Sequence, residues 1–252
     1  MKTFKIAHLY YDLMNLYGEN GNIRYLVNRL EEVGIKTSLS FLTIDDEIDF
    51  NEYDLFYIGS GSEDNQLLVL NDLLKYKDNL KKAIKGNKFF LITGNALELF
   101  GRQIRHIDKE PLQMTEVFDF VCNDDDMRIV GEQVYKFKEL EDPIVGFENR
   151  LCTMSEYHAP LFEVISGCGY KPNVKQEGIC EYNFYGTYLF GPILVRNPHF
   201  CDYFIKKIAE CNEIEIKEFN TDTSAYKAYK EYKKNFIENQ KWFSFFFTFY
   251  II

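Results

Sequence analysis

The six cysteines, Cys122, Cys152, Cys168, Cys180, Cys201 and Cys211, never form a C-x-x-C pair. That excludes a redox dithiol motif and leaves free thiols of a reducing compartment as the expectation. Histidine is scarce: His8, His106, His158 and His199 stand apart, with no H-x-x-x-H or H-x-x-E arrangement to set two ligands on one helix face. No metal and no cofactor is expected. Positive charge is short as well, with 29 Lys and Arg against 39 Asp and Glu, for a net charge of −10. The basic residues are scattered, so a phosphate backbone would be repelled, and nucleic acid is excluded as a partner. The chain opens M-K-T-F-K-I-A-H-L as a strand would, without the pattern of a secretory leader, and a cytoplasmic location is expected. Long apolar runs are missing except at residues 242–252, where seven of eleven residues are aromatic. As a helix that run would reach only about 16 Å, roughly half a bilayer core, so no transmembrane span is expected. Exposed, it would invite aggregation.

What is present is an ordinary globular composition, 46% hydrophobic and 27% charged over 252 residues. Residues 4–9 read as a buried strand. Beyond a Gly and Asn-rich turn, Ile23, Leu26, Val27, Leu30 and Val33 keep helical spacing, and Gly34 sits where a C-cap belongs. Strands are predicted at 36–42, 54–58 and 88–93. A helix carrying Leu67, Leu70, Leu73, Leu74, Leu80 and Ile84 lies between the last two. This alternation predicts an α/β fold of three layers, a mostly parallel sheet flanked by helices in the flavodoxin manner. From 115 to 189, short apolar and aromatic runs predict antiparallel strands that extend the sheet. Ala225, Tyr229, Tyr232 and Phe236 predict a surface helix with an apolar stripe. No Pro, Gly or Ser-rich linker divides the chain, so residues 1–240 are expected to form one domain, followed by the aromatic tail at 241–252, to which no role is assigned.

Two glycine-containing turns fall where an open α/β sheet builds its site, at the carboxyl ends of strands. In Gly59-Ser60-Gly61-Ser62-Glu63-Asp64-Asn65-Gln66, backbone N–H groups ahead of a helix could receive an anion or an oxyanion. A tight connection alone would look the same. In Leu91-Ile92-Thr93-Gly94-Asn95-Ala96-Leu97-Glu98-Leu99-Phe100-Gly101, a hydrophobic strand turns abruptly into a short helix, the layout of a nucleophile elbow. Its turn residue is Gly94, which tolerates the geometry and offers no nucleophile.

These turns and several further motifs, in order, resemble the class I glutamine amidotransferases of the cobyric acid synthase type, and among them the glutaminase subunits of lipid II isoglutaminyl synthase. The resemblance runs to about Lys234. Tyr11-Asp12-Leu13-Met14-Asn15-Leu16-Tyr17-Gly18-Glu19-Asn20-Gly21-Asn22 is similar to the family's Y-P-D-L-x-N-x-Y-G-D-x-G-N, and G-S-G-S-E-D-N-Q to its G-G-G-x-D-x-x-Q. Arg128-Ile129-Val130-Gly131, Val145-Gly146-Phe147-Glu148-Asn149, Glu177-Gly178, Gly186-Thr187-Tyr188-Leu189-Phe190-Gly191-Pro192 and Arg196-Asn197-Pro198-His199 continue it.

The departures fall on the chemistry. The family's elbow reads I-C-G-G-Y-Q-L-L-G, which sets Gly94 on the cysteine, Asn95 and Ala96 on the glycines and Glu98 on the glutamine. The family's histidine belongs in G-T-Y-L-H-G-P, where this chain has Phe190. Cysteine glutaminases need a thiolate to attack the side-chain amide and a histidine to move the proton, and both are absent. Shifting the alignment by one puts Thr93 on the cysteine, a threonine without a base. Cys168 and Cys180 are the nearest substitutes by motif position, neither on an elbow, and His158 and His199 read as surface or capping residues.

What the resemblance leaves is a binding surface of Ser60, Gly61, Ser62, Asn95, Glu98 and Arg128. Arg128 reads either as a guanidinium for a carboxylate or as an exposed strand charge. Phe190 is expected to fill the space of the imidazole and Glu98 to add negative charge, together disfavouring glutamine. Three functions follow: a catalytically degenerate subunit docking a Mur-ligase-like ATP-dependent synthetase in peptidoglycan precursor amidation; an active glutaminase supplying ammonia to such a synthetase or to a cobyric acid synthase-like reaction; or a stand-alone module binding an amino acid or an anion.

Overall fold

The computed structural model describes residues 3–107 and 110–238, and the aromatic run at 242–252 lies outside the described residues. From the amino end, β1 (Phe4–Leu9) is followed by α1 (Asn20–Glu32), β2 (Thr37–Leu42), β3 (Leu55–Ile58), α2 (Glu63–Leu73), α3 (Lys77–Lys85) and β4 (Phe89–Thr93). In α1 the buried positions Ile23, Leu26 and Leu30 recur at helical spacing. The helix stops at Gly34, whose φ of +96° suits glycine and whose N–H returns to the Glu31 carbonyl at 3.0 Å. The one helix predicted across 67–84 is broken at a 3-10 turn, Leu74–Tyr76, into α2 and α3. Leu70, Leu73, Leu80 and Ile84 are buried, whereas Leu67 and Leu74 remain exposed.

The second half adds β5 (Gln103–Arg105), β6 (Leu112–Gln113), β7 (Val121–Lys136), β8 (Ile144–Met154), β9 (Phe162–Ser166), β10 (Gln176–Glu177), β11 (Ile179–Glu181) and β12 (Phe184–Thr187). The helices α4 (Ile193–Arg196), α5 (Pro198–Cys211) and α6 (Ser224–Tyr232) close the described chain. The first sheet has the order β11-β12-β4-β3-β1-β2, parallel except for β11. Its inner strands β3, β4 and β12 are buried on both faces, and β3 and β4 split their side chains between two cores, as a period of two requires. Phe56, Ile58, Phe90 and Ile92 join Leu70, Leu73 and Phe100 on one side. Leu55, Tyr57, Phe89 and Leu91 join Ile23, Leu26, Phe204 and Ile208 on the other.

The antiparallel strands expected to extend this sheet mostly do not. β11 does so, β12 joins it in parallel beside β4, and the others form a second sheet, β10-β9-β7-β5-β6 with β8 paired to β7. The middle of β8 alternates buried and half-buried residues, the pattern of an antiparallel ribbon with one wetter face. Of the stripe on α6, Tyr229 is buried, and Phe236, beyond the helix end, is exposed. Among the described residues no helix is long and apolar enough to cross a membrane.

Candidate functional site at the carboxyl ends of the parallel strands

β3 and β4 run parallel with Ile58 opposite Ile92, so the residues that follow each strand are brought side by side. Strand β4 ends at Thr93, and Gly94 turns the chain with a φ of +63° into a 3-10 segment, Gly94–Phe100. That is elbow geometry with no side chain at its apex. The space is taken: a Cβ on Gly94 would lie 2.5 Å from both Cβ and Oγ of Ser60. The Asn95 side chain closes onto the same turn. Its Oδ1 accepts from the Gly61 N–H at 2.9 Å and the Ser60 hydroxyl at 3.1 Å, and its Nδ2 donates to the Gly61 carbonyl at 3.0 Å. Ser62 instead caps α2, accepting from the Asn65 N–H at 3.2 Å.

Beneath the elbow lies Glu19, fully buried. One of its oxygens accepts from the Thr93 hydroxyl and from the Tyr57 hydroxyl at 3.1 Å, and the other accepts from the Gly191 N–H at 3.0 Å. Burial raises its carboxyl to about 7, opposed by these hydrogen bonds. A single carboxyl group thus ties together the neighbours of residues 94 and 190, the two positions at which the chemistry was sought. Thr93 accordingly has a carboxyl partner, contrary to the reading of a threonine without a base. It is nevertheless completely buried, out of reach of a substrate.

Phe190 is 4% exposed. It stacks on Tyr17 with ring centroids 4.3 Å apart and 9° between planes, and meets the Phe147 ring edge-on at 5.7 Å. Tyr17, itself half exposed, accepts from Asn149 Nδ2 at 2.9 Å, and Asn149 Oδ1 accepts from Arg128 Nη1 at 2.8 Å. Arg128 also reaches Glu63 at 3.3 Å and is exposed. Arg128 is thus an exposed strand charge at the rim of the site, held by the Asn149 amide and the Glu63 carboxylate.

Glu98 is buried, accepts from Gln66 Nε2 at 2.7 Å and has its carboxyl pushed up to about 7 by burial. Gln66 also donates to the Asn95 carbonyl at 2.7 Å, pinning the elbow backbone from α2. Burial pushes the thiols of Cys168 and Cys180 up to about 11, the opposite of an activated nucleophile. Among the described residues no group of three His, Cys, Asp or Glu is arranged to hold a metal ion. The structure therefore joins Ser60, Gly61, Asn95 and Glu98 in one network, sets Ser62 to capping, and leaves Arg128 at the rim. Sequence reasoning passed over Glu19, Tyr17, Gln66 and Asn149 as site residues. Their one signal was membership of the ordered motifs.

This fold, with the elbow, the facing glycine turn and the acidic brace, is that of a glutamine amidotransferase domain. The family model for the CobB/CobQ-like glutamine amidotransferase domain matches residues 5–198, and the chain belongs to that family. Two relatives carry the same description, subunit GatD of the glutamine-hydrolyzing lipid II isoglutaminyl synthase. The one from Staphylococcus aureus is 32% identical over 89% of this chain and 92% of its own length. The one from Streptococcus pneumoniae is 29% identical over 76% of this chain and 75% of its own. A solved glutamine amidotransferase from Thermotoga maritima shares the fold, with a TM-score of 0.50 over 93% of each chain at 11% identity.

Proposed function

We propose that this chain is a catalytically silent glutamine amidotransferase-like subunit, which docks on a Mur-ligase-like, ATP-dependent synthetase in the cytoplasmic amidation of lipid II. The observation that carries the reading is the elbow. Position 94 has no side chain, the Ser60 side chain fills the space a thiol would need, and position 190 offers a buried phenyl ring instead of a base. Hydrolysis of a carboxamide needs a nucleophile and a proton shuttle, and neither atom is present at the elbow. The pathway and the partner are supported by the two relatives, both described as subunits of lipid II isoglutaminyl synthase.

Affinity purification of the tagged full-length chain from its native cells tests the docking role. Recovery of a ligase-like synthetase in stoichiometric amount is expected, and recovery without one contradicts it. The relatives' description as glutamine-hydrolyzing favours a second reading, an active glutaminase with its nucleophile elsewhere. That reading requires a covalent adduct at Cys168, Cys180 or another cysteine after treatment with a glutamine-mimicking electrophile. Intact mass spectrometry is expected to find no adduct.

A further inference from the structure

We propose that β2, the outer strand of the parallel sheet, is a self-association edge on which a second copy of this chain pairs its own β2 antiparallel. β1 uses only one side of the strand. The Phe4 N–H donates to the Lys36 carbonyl at 2.8 Å and the Tyr10 N–H to the Leu42 carbonyl at 2.5 Å, with Phe4 opposite Thr37 in the parallel register. Successive residues of a ladder turn their backbone groups to opposite sides, so the N–H and C=O of Thr37, Leu39 and Phe41 point away from β1. Among the described residues no strand lies beyond β2, and no hydrogen bond reaches those outward groups. Exposed edges are ordinarily protected by charge, proline or a bulge. The strand T-S-L-S-F-L has no charge and no proline, and its register with β1 runs unbroken.

The occupant follows from symmetry and charge. A two-fold axis through Leu39 sets Leu39 opposite its copy and Thr37 opposite Phe41, and these are the residues whose backbone groups face outward, so each pair exchanges both bonds. Thr37 with Phe41 is a β-branched and aromatic cross-strand pair, and Phe41 is 48% exposed. Above the edge, Glu31 of α1 accepts from the Thr37 hydroxyl at 2.7 Å, which fixes that helix face over the amino end of β2. Arg24 lies seven residues earlier on the same face, about two turns along, toward the carboxyl end of β2. It is exposed, and among the described residues it has no ion pair or hydrogen bond. The axis that brings Thr37 to Phe41 of the second copy therefore also brings Glu31 to its Arg24, and Arg24 to its Glu31. A strand from an unrelated chain would satisfy the backbone groups and leave Arg24 unmatched. The inference goes beyond the proposed function and does not rest on it.

The test is sedimentation velocity on the full-length chain from about 1 to about 100 μM. A rise from monomer to dimer mass with concentration is expected. Leu39→Pro removes an outward N–H and leaves the β1 ladder to its neighbours, so it is expected to stay monomeric over the same range. Arg24→Glu is expected to weaken the dimer about fivefold or more, and adding Glu31→Arg to restore it, because exchanging the two charges keeps them matched across the axis. A natural chain that remains monomeric throughout overturns the proposal, as does a folded Leu39→Pro that still dimerises. Should Leu39→Pro fail to fold, the exposed charges decide. Unchanged dimerisation of Arg24→Glu, or a double variant no better than Arg24→Glu, overturns it.

Discussion

Ser60 and Gly94 have traded bulk: the turn carries a side chain where the resembled motif has glycine, and the elbow carries none where the motif has cysteine. Gly94→Ala introduces a Cβ 2.5 Å from Ser60 at a φ of +63°. Left-handed backbone at a non-glycine residue costs roughly 1–2 kcal/mol and overpacking about 1–3, so a loss of about 2–5 kcal/mol is expected in urea unfolding. Adding Ser60→Gly should return the overpacking part and leave the backbone part. Strictly additive losses would show that the two residues are not coupled. Gly94 was legible as an elbow from the run L-I-T-G-N, because a strand ending in a sharp turn is a local pattern. Its pairing with Ser60 was not, since it arises only once β3 and β4 align Ile58 with Ile92. Glu98 shows the same limit, for its identity is local and its burial is not. Its folded carboxyl stands near 7 against an ordinary 4.5, so the folded state keeps a proton that the unfolded chain releases between those values. Stability is therefore expected to fall as pH rises from about 4.5 to 7, by up to about 3 kcal/mol from this group. Glu98→Gln should flatten the curve of unfolding free energy against pH and gain relative to the natural chain at pH 8. An unchanged slope would contradict the assignment.

Among the elements, α1 and α5 lie together over one face of the parallel sheet and are joined by a buried ion pair. Arg29 Nη2 reaches the two Asp202 oxygens at 2.6 and 2.7 Å, and the Tyr226 hydroxyl of α6 donates to Asp202 at 2.7 Å. Asp202→Ala leaves the buried guanidinium with only Glu32 at 2.6 Å and the Asn220 carbonyl at 3.1 Å, and is expected to cost about 3 kcal/mol in chemical denaturation. A loss under about 1 kcal/mol would mean that the guanidinium finds water. The helical stripe of α1 and the buried strands β1, β3 and β4 were readable because apolar periodicity reports which face is covered. The ion pair was not, because its members are 173 residues apart. Nor was the second sheet, for period-two alternation identifies β7 and β8 as strands without saying which sheet they join.

At the scale of the whole molecule, the family fold persists while the two positions that carry its chemistry hold glycine and phenylalanine. The framework around them is complete: Glu19 spans the elbow and the segment beginning at Gly191, Gln66 holds the elbow backbone, and Tyr17 covers Phe190. An intact frame around an elbow without a nucleophile fits the proposed docking role, since a partner reads surface and shape rather than a buried thiol. The direct test is ammonia release from glutamine by the natural full-length chain, measured alone and together with any synthetase that co-purifies with it. The account predicts release no faster than the buffer background in both states. Sustained turnover by the natural chain, abolished when one cysteine is replaced by alanine, would contradict it and locate the nucleophile elsewhere.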